Sequence, residues 1–247
     1  MKGLPMRTVV SNDFHGIFRD KTACKLFFGF LKREQPDQLI LNGDIVDFYS
    51  ISRFDKDPAR KEDLQDELDN VYNFLVDIRN TLPEATVVYT EGNHEARLRK
   101  YLRSKAPALA TLDALQIESL LGLESLGIRY EEDGVWVGDL YVYHGSIIRS
   151  KSGFTAHAEM DKNGCSGMSG HSHRDAKAGS RKRGGQLVWF ENFCMCQLDA
   201  EYIVGIANWT QGWSVVTTCK KRPTVEQVAV LGGRYNYRGI EYNLKGK

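Results

Sequence analysis

The chain is poor in the features that mark several protein classes. Its longest apolar runs are a few residues, far short of the roughly 18 needed to span a bilayer. Its first residues hold no apolar leader core, so a soluble, cytoplasmic protein with no membrane partner is expected. With 33 basic against 32 acidic residues the formal charge is only +1, so any taste for a polyanion must come from local clusters. Cysteine is scarce and odd in number (five), with no CxxC pair or zinc-ribbon spacing, which excludes a disulfide scaffold and reads as reduced thiols. Cys194 and Cys196 lie two apart, would share one face of a strand, and read as core. No GxSxG elbow or P-loop occurs, so serine-hydrolase and NTPase chemistry have no support. No repeat, low-complexity tract or linker splits the 247 residues, and one domain over 1–247 is expected.

What is present alternates between two periods. Thr8–Val10, Gln38–Leu41 and Thr86–Tyr89 read as short buried strands. Between them, residues 20–34 carry apolar side chains at 23, 26, 27, 30 and 31, the spacing of a helix. Pro58 opens a second helix predicted to run to about Leu82, with Leu64, Leu68, Val71, Leu75 and Ile78 on one face. The β-α-β-α-β order predicts parallel opening strands covered by helices. Residues 94–122 read as a small helical cap insertion. From 127 onward short β-rich runs dominate, at 135–137, 140–143, 187–190, 214–218 and 225–231, with Gly179–Gly185 as a basic loop. An α/β fold built as a two-sheet α/β/β/α sandwich accommodates both halves.

Chemistry concentrates at the ends of the strand-like runs. Asp13 and His15 follow the first, Asp44 and Asp47 the second, and Asn93, His94 and Glu95 the third. His144 follows 140–143, and His171 and His173 sit in Gly170-His171-Ser172-His173. In an open α/β sheet, loops at the carboxyl ends of strands can meet at one crevice. Imidazole and carboxylate without thiolate suit manganese, iron, zinc, cobalt or nickel rather than an all-oxygen calcium or magnesium site. His171 and His173 can serve two adjacent metals from one loop, and a carboxylate can bridge them. His157 matches no motif.

Asp13-Phe14-His15, Gly43-Asp44-Ile45-Val46-Asp47, Gly92-Asn93-His94-Glu95, His144-Gly145 and Gly170-His171-Ser172-His173, in this order, resemble the five signatures of the calcineurin-like metallophosphoesterases. Residues 185–247, with Trp209-Thr210-Gln211-Gly212-Trp213, resemble the tails of stand-alone phage-borne members. The resemblance implies two divalent metal ions. Asp13, His15, Asp44 and His173 would bind one, and Asp44, Asn93, His144 and His171 the other. It also implies His94 as the acid near the leaving group, with Asp47 holding its ring. Two departures stand out: Asn12 precedes the first Asp where Gly or Ser is usual, and Phe48-Tyr49 and Glu91 replace the arginines of protein phosphatases. The pattern is therefore closer to the phosphodiesterase and nuclease branches.

Three basic runs follow ligand motifs, at 97–105, 149–151 and 174–183. They fit either solvated faces or the rim of a site for a substrate with several phosphates. On the second reading Arg97, Arg149, Arg174, Arg181, Lys182 and Arg183 contact substrate. Phe48, Tyr49, Tyr101 and Phe154 fit base stacking or ordinary core packing. The expected function is hydrolysis of phosphodiester bonds in nucleic acid or nucleotides. The alternatives are a phosphomonoesterase and a catalytically inactive binding scaffold.

Overall fold

The computed structural model describes residues 5–53, 55–56, 61–199, 205–220 and 222–244, with the side chains of Lys182 and Arg222 outside the described set. Period-two burial organises the first sheet. In β1 (Met6–Ser11), Val9 faces one core and Val10 the other. In β2 (Gln38–Asn42), Leu39 and Leu41 face the first core and Ile40 the second, and β3 (Thr86–Thr90) repeats this with Val87, Tyr89 and Val88. These strands pair in parallel, as does β4 (Ile128–Glu131) with β3.

Two helices cover the outer face. α1 (Lys21–Glu34) begins where Asp20 caps the backbone N–H of Ala23 at 2.7 Å, and it buries Leu26, Phe27, Phe30 and Leu31. α2 (Leu64–Thr81) starts later than expected, because Asp63 and Asp66 form a capping box. Lys61 to Asp63 are not helical, and Pro58 lies outside the described residues. Segment 94–122 carries α3 (Glu95–Lys105), short 3-10 turns and α4 (Ile117–Leu120); Leu98, Leu102 and Ile117 join the core beneath α1 and α2.

The second sheet contains β5 (Val135–Val137), β6 (Leu140–Tyr143), β7 (Gly167–Ser169), β8 (Ala176–Lys182) and β9 (Gly185–Glu191), in the order β5-β6-β7-β9-β8. The expected loop at 179–185 is instead the end of β8, the turn and the start of β9, with Gly179 to Lys182 paired residue by residue with Val188 to Gly185. α5 (Phe154–Asn163), which periodicity had not flagged, covers the outer face of this sheet through Ala156 and Met160. Val135, Val137, Leu140, Val142, Met168 and Phe190 face Val10, Ile40, Val88 and Val216 between the sheets. The layers are thus α/β/β/α. The chain returns through β10 (Gln211–Cys219), which pairs antiparallel with β1, and continues through β11 (Arg222–Leu231), β12 (Arg234–Tyr237) and β13 (Ile240–Asn243) to complete the eight-stranded sheet. No helix among the described residues is long and apolar enough to cross a membrane.

Candidate metal centre

The ligand loops leave the carboxyl ends of β1, β2, β3, β6 and β7, and parallel pairing within each sheet brings those ends side by side. Asp13, His15, Asp44, His171 and His173 all have left-handed backbone, with φ between 52° and 62°. Such conformations cost side-chain-bearing residues about 1–3 kcal/mol each and persist only when their surroundings over-determine them. Here the loops tie one another down: Asp13 N–H donates to Gly43 O (3.1 Å), His15 N–H to Asp44 O (2.9 Å) and His171 N–H to Asp13 Oδ2 (2.9 Å). Glycine lets the loops approach. A Cβ on Gly43 would sit 2.6 Å from His144 Nδ1, and one on Gly170 2.6 Å from Asp13 Oδ2.

The side chains converge on two carboxylates. His173 Nε2 is 3.0 Å from Asp13 Oδ1, with His15 Nε2 at 3.7 Å and His144 Nε2 at 3.9 Å. His144 Nε2 is 3.2 Å from Asp44 Oδ2 and 3.2 Å from Asn93 Oδ1. Asp44, His144 and His171 form one cluster with metal-ligand spacing, and Asp13, His15 and Asp44 form another that shares Asp44. Asp13 Oδ1 is buried yet receives no well-directed hydrogen bond, and the Nε2 atoms of His15 and His173 face each other at 3.1 Å. Nitrogens aimed at one another and at an orphaned carboxylate oxygen are a donor set for a cation. The residues present therefore fit divalent metal.

Charge balance points the same way. Burial disfavours the imidazolium of His144, but the Asp44 and Asp13 carboxylates outweigh it and push that pKa up to about 10. His173 is raised to about 9 by Asp13 against the same opposition. Burial and the neighbouring His144 charge press His171 down to about 4. Asp13 and Asp44 stay ionised because their histidine partners overcome the cost of burial.

Buried carboxylates brace the loops from behind. Glu95 accepts the backbone N–H groups of Asp44, Ile45, Val46 and Gly92, at 2.8 to 3.3 Å, and the Tyr89 hydroxyl. Glu67 accepts from Asp47 N and Phe48 N, both at 2.7 Å. Glu159 holds Ser146 N and Ile147 N, after His144, and also the Tyr143 hydroxyl. Glu191 holds the Ser172 hydroxyl at 2.7 Å. Asn12, the departure before Asp13, donates to Asp13 Oδ2 and to the carbonyls of Asn192 and Phe193.

A cleft of about 900 Å³ opens over the cluster. His94 lines it, with Nδ1 3.0 Å from Asp47 O and 3.2 Å from Asp47 Oδ2. Asp47 Oδ2 also lies 3.1 Å from His15 Nδ1. Of the six proposed substrate contacts, Arg97, Arg149 and Arg174 line the cleft. Arg97 reaches Asp47 O at 2.8 Å, and Arg149 is exposed. The Arg174 side chain is buried, donates to Arg149 O at 2.7 Å and has Nε 3.8 Å from Glu191. Arg181 and Arg183 sit at the exposed end of the β8–β9 hairpin, about 20 Å from the cleft at the usual strand rise, and the Lys182 side chain lies outside the described residues. In the run 97–105, Arg99 folds onto Glu91, at 2.6 and 2.8 Å.

Among the aromatic residues considered from sequence, Phe48 is in the core, Tyr49 lines the cleft, and Tyr101 and Phe154 are exposed elsewhere. Two neighbours of the ligands escaped the motif reading. Cys196, expected in the core, is buried there but with Sγ 3.8 Å from His173 Nδ1. The Trp209 ring stands 4.2 Å from the His173 ring.

The sequence profile of the calcineurin-like phosphoesterases matches residues 6–192. The Gene 54 protein of Mycobacterium phage D29 is 30% identical over 249 positions, covering 94% of this chain and 97% of that protein. That of phage L5 is 30% identical over 251 positions, with the same coverage. Among solved structures, Vacuolar Protein Sorting 29 from Cryptosporidium parvum superposes with a TM-score of 0.52 at 11% identity, over 98% of this chain and all of that one. Wild-type Vps29 from Entamoeba histolytica, complexed with zinc, gives 0.49 at 11% identity, over 94% of this chain and 96% of that one. With the five ligand loops placed at one crevice and a profile match over most of its length, the chain belongs to the calcineurin-like phosphoesterase family.

Proposed function

We propose that the protein is a dinuclear-metal-dependent phosphodiesterase acting on nucleic acid or nucleotides. The observation that carries this reading is the position of Asp44, whose carboxylate is shared by the two ligand clusters. Asp13, His15, Asp44 and His173 would hold one cation, and Asp44, Asn93, His144 and His171 the second. Manganese is the first choice for this imidazole, carboxylate and amide set, with iron, zinc, cobalt or nickel as alternatives. Two bound cations supply Lewis acidity toward a phosphate and make water a nucleophile near neutral pH.

The chain's own groups do the rest. Asp47 fixes the His94 ring through Nδ1, and once Arg97 has turned from Nε2 to the substrate, the protonated ring can give its Nε2 proton to a leaving alkoxide. Arg97 and Arg149 take phosphate oxygens and orient the ester. No protein nucleophile is needed.

Manganese-loaded protein should hydrolyse bis-p-nitrophenyl phosphate faster than p-nitrophenyl phosphate. A wide preference for the monoester overturns the diester assignment.

A further inference from the structure

We infer that Trp209 is the platform on which a nucleobase of the substrate stacks, so that the site favours nucleoside-bearing phosphodiesters; this rests on the phosphodiesterase reading above. The indole stands against a predicted metal ligand, 4.2 Å from the His173 ring centroid at an interplanar angle of 64°. It is half-buried and lines the same cleft as Arg149 and the 58%-exposed Ile148. Its backbone is held firmly. The next residue, Thr210, donates to His173 O at 2.8 Å and accepts from Cys194 N at 2.9 Å, and Gln211 Nε2 donates to Cys196 O at 2.8 Å. A ring on such a mount loses little freedom when a second ring lands on it.

The stretch Trp209-Thr210-Gln211-Gly212-Trp213 contains two tryptophans with different destinations. Trp213 is fully buried and packs against Phe27, Phe30 and Tyr235, as a core residue should. Trp209 is outside that core and turned to the cleft. Among the described residues the cleft's other aromatic side chain is Tyr49, whose ring lies 4.9 Å from the Lys56 ammonium. A cleft of about 900 Å³ is far more than one phosphate requires and lies at the upper end of small-molecule sites. An indole, an exposed isoleucine and an arginine beside the phosphate position together suit a flat, weakly polar group joined to a phosphate. A nucleotide has that composition. Stacking on an aromatic face is also tolerant of base identity, because every base has a π-face.

The test uses two manganese-loaded substrates with one leaving group: the p-nitrophenyl ester of thymidine 5′-phosphate and p-nitrophenyl methyl phosphate. The wild type should prefer the nucleoside ester in kcat/KM. Trp209→Ala should reduce that preference about tenfold or more, chiefly through KM, and Trp209→Phe should restore most of it. Independently, thymidine 5′-monophosphate should quench the tryptophan emission of the metal-free wild type but not of Trp209→Phe. Equal losses on both esters would mean that Trp209 merely props His173, and the inference falls. Unchanged preference or unchanged quenching overturns it as well. If the wild type cleaves neither ester, the phosphodiesterase reading has failed, and the emission titration still decides whether Trp209 stacks a nucleotide.

Discussion

Nη2 of Arg97 donates a hydrogen bond to Nε2 of His94 at 3.0 Å, and Nη1 of the same guanidinium reaches Asp47 O at 2.8 Å. With Nε2 accepting, the His94 proton sits on Nδ1, which faces Asp47. For His94 to act as an acid, Arg97 must release Nε2 and that nitrogen must take up a proton; a substrate phosphate is the natural acceptor for the guanidinium to turn to. Arg97→Ala should therefore lower kcat/KM about 10- to 100-fold, the scale of a lost hydrogen bond to a charged group. Arg97→Lys should recover little, since a point charge cannot span two acceptors as the fork does. Steady-state kinetics on bis-p-nitrophenyl phosphate checks this, and an unchanged Arg97→Ala removes Arg97 from the substrate path.

His94→Ala separates acid catalysis from metal binding. Metal content should stay near that of the wild type, because His94 lies outside the two ligand sets assigned to the metals. Alkyl leaving groups should slow by about 10²–10⁴-fold, while p-nitrophenolate, already stable as an anion, should suffer less. Equal losses for both ester types dispose of the acid role.

Much of this centre was legible in the sequence because its chemistry is local. Asp13 and His15, or His171 and His173, are close along the chain, and Asp13 and His15 directly follow a strand that reads as a short buried run. What stayed hidden depends on distant packing. Trp209 reaches His173 only because β10 inserts between β1 and β11, a pairing with no local signal. Arg174 reads as one of a basic run, yet it turns inward because buried Glu191 on β9 draws it. Arg99 likewise finds Glu91 outside its own run. Charge counts along a chain omit the acids that folding brings in.

Glu95 is a structural test of the same point. Its carboxylate satisfies four backbone N–H groups around Asp44 and Gly92. Glu95→Ala leaves these donors buried without a partner, at about 1–3 kcal/mol for each left unmade, so a total loss of at least about 3 kcal/mol is expected. For a chain of this size that is a fall in Tm of roughly 6–12 °C. Weaker manganese binding should accompany it, because the Asp44 loop loses its brace. A Tm within a degree or two of the wild type shows that the loop holds itself.

Metal binding should release protons, with a definite pH dependence. In the metal-free chain, His144 at about 10 and His173 at about 9 are both charged at pH 7.5. A ligand imidazole must be neutral, so loading should expel roughly two protons from this pair and tighten as pH rises. These pKa values are raised above the unfolded value, so their contribution is complete below about pH 6.5 and is lost as pH climbs through 9 to 10. Calorimetry of manganese binding in two buffers of different ionisation enthalpy counts the protons, and a count near zero contradicts the pairing with Asp13 and Asp44.

The basic residues divide into two groups that salt dependence can tell apart. Arg149 is exposed on the wall of the cleft that Trp209 also lines, whereas Arg181 and Arg183 lie at the far end of β8. A mononucleotide in the cleft touches only the first group, while a nucleic acid strand long enough to leave the cleft can run out toward the second. Arg149→Ala should therefore weaken both ligands. The double change Arg181→Ala and Arg183→Ala should spare the mononucleotide and lower affinity for a single-stranded oligonucleotide. Each phosphate contact removed takes nearly one unit from the slope of log affinity against log salt, about 0.7 for a single strand. The double variant should thus flatten that slope by roughly 1.4 units. An unchanged slope confines recognition to the cleft and makes a nucleotide, rather than a polymer, the ligand that this charge distribution serves.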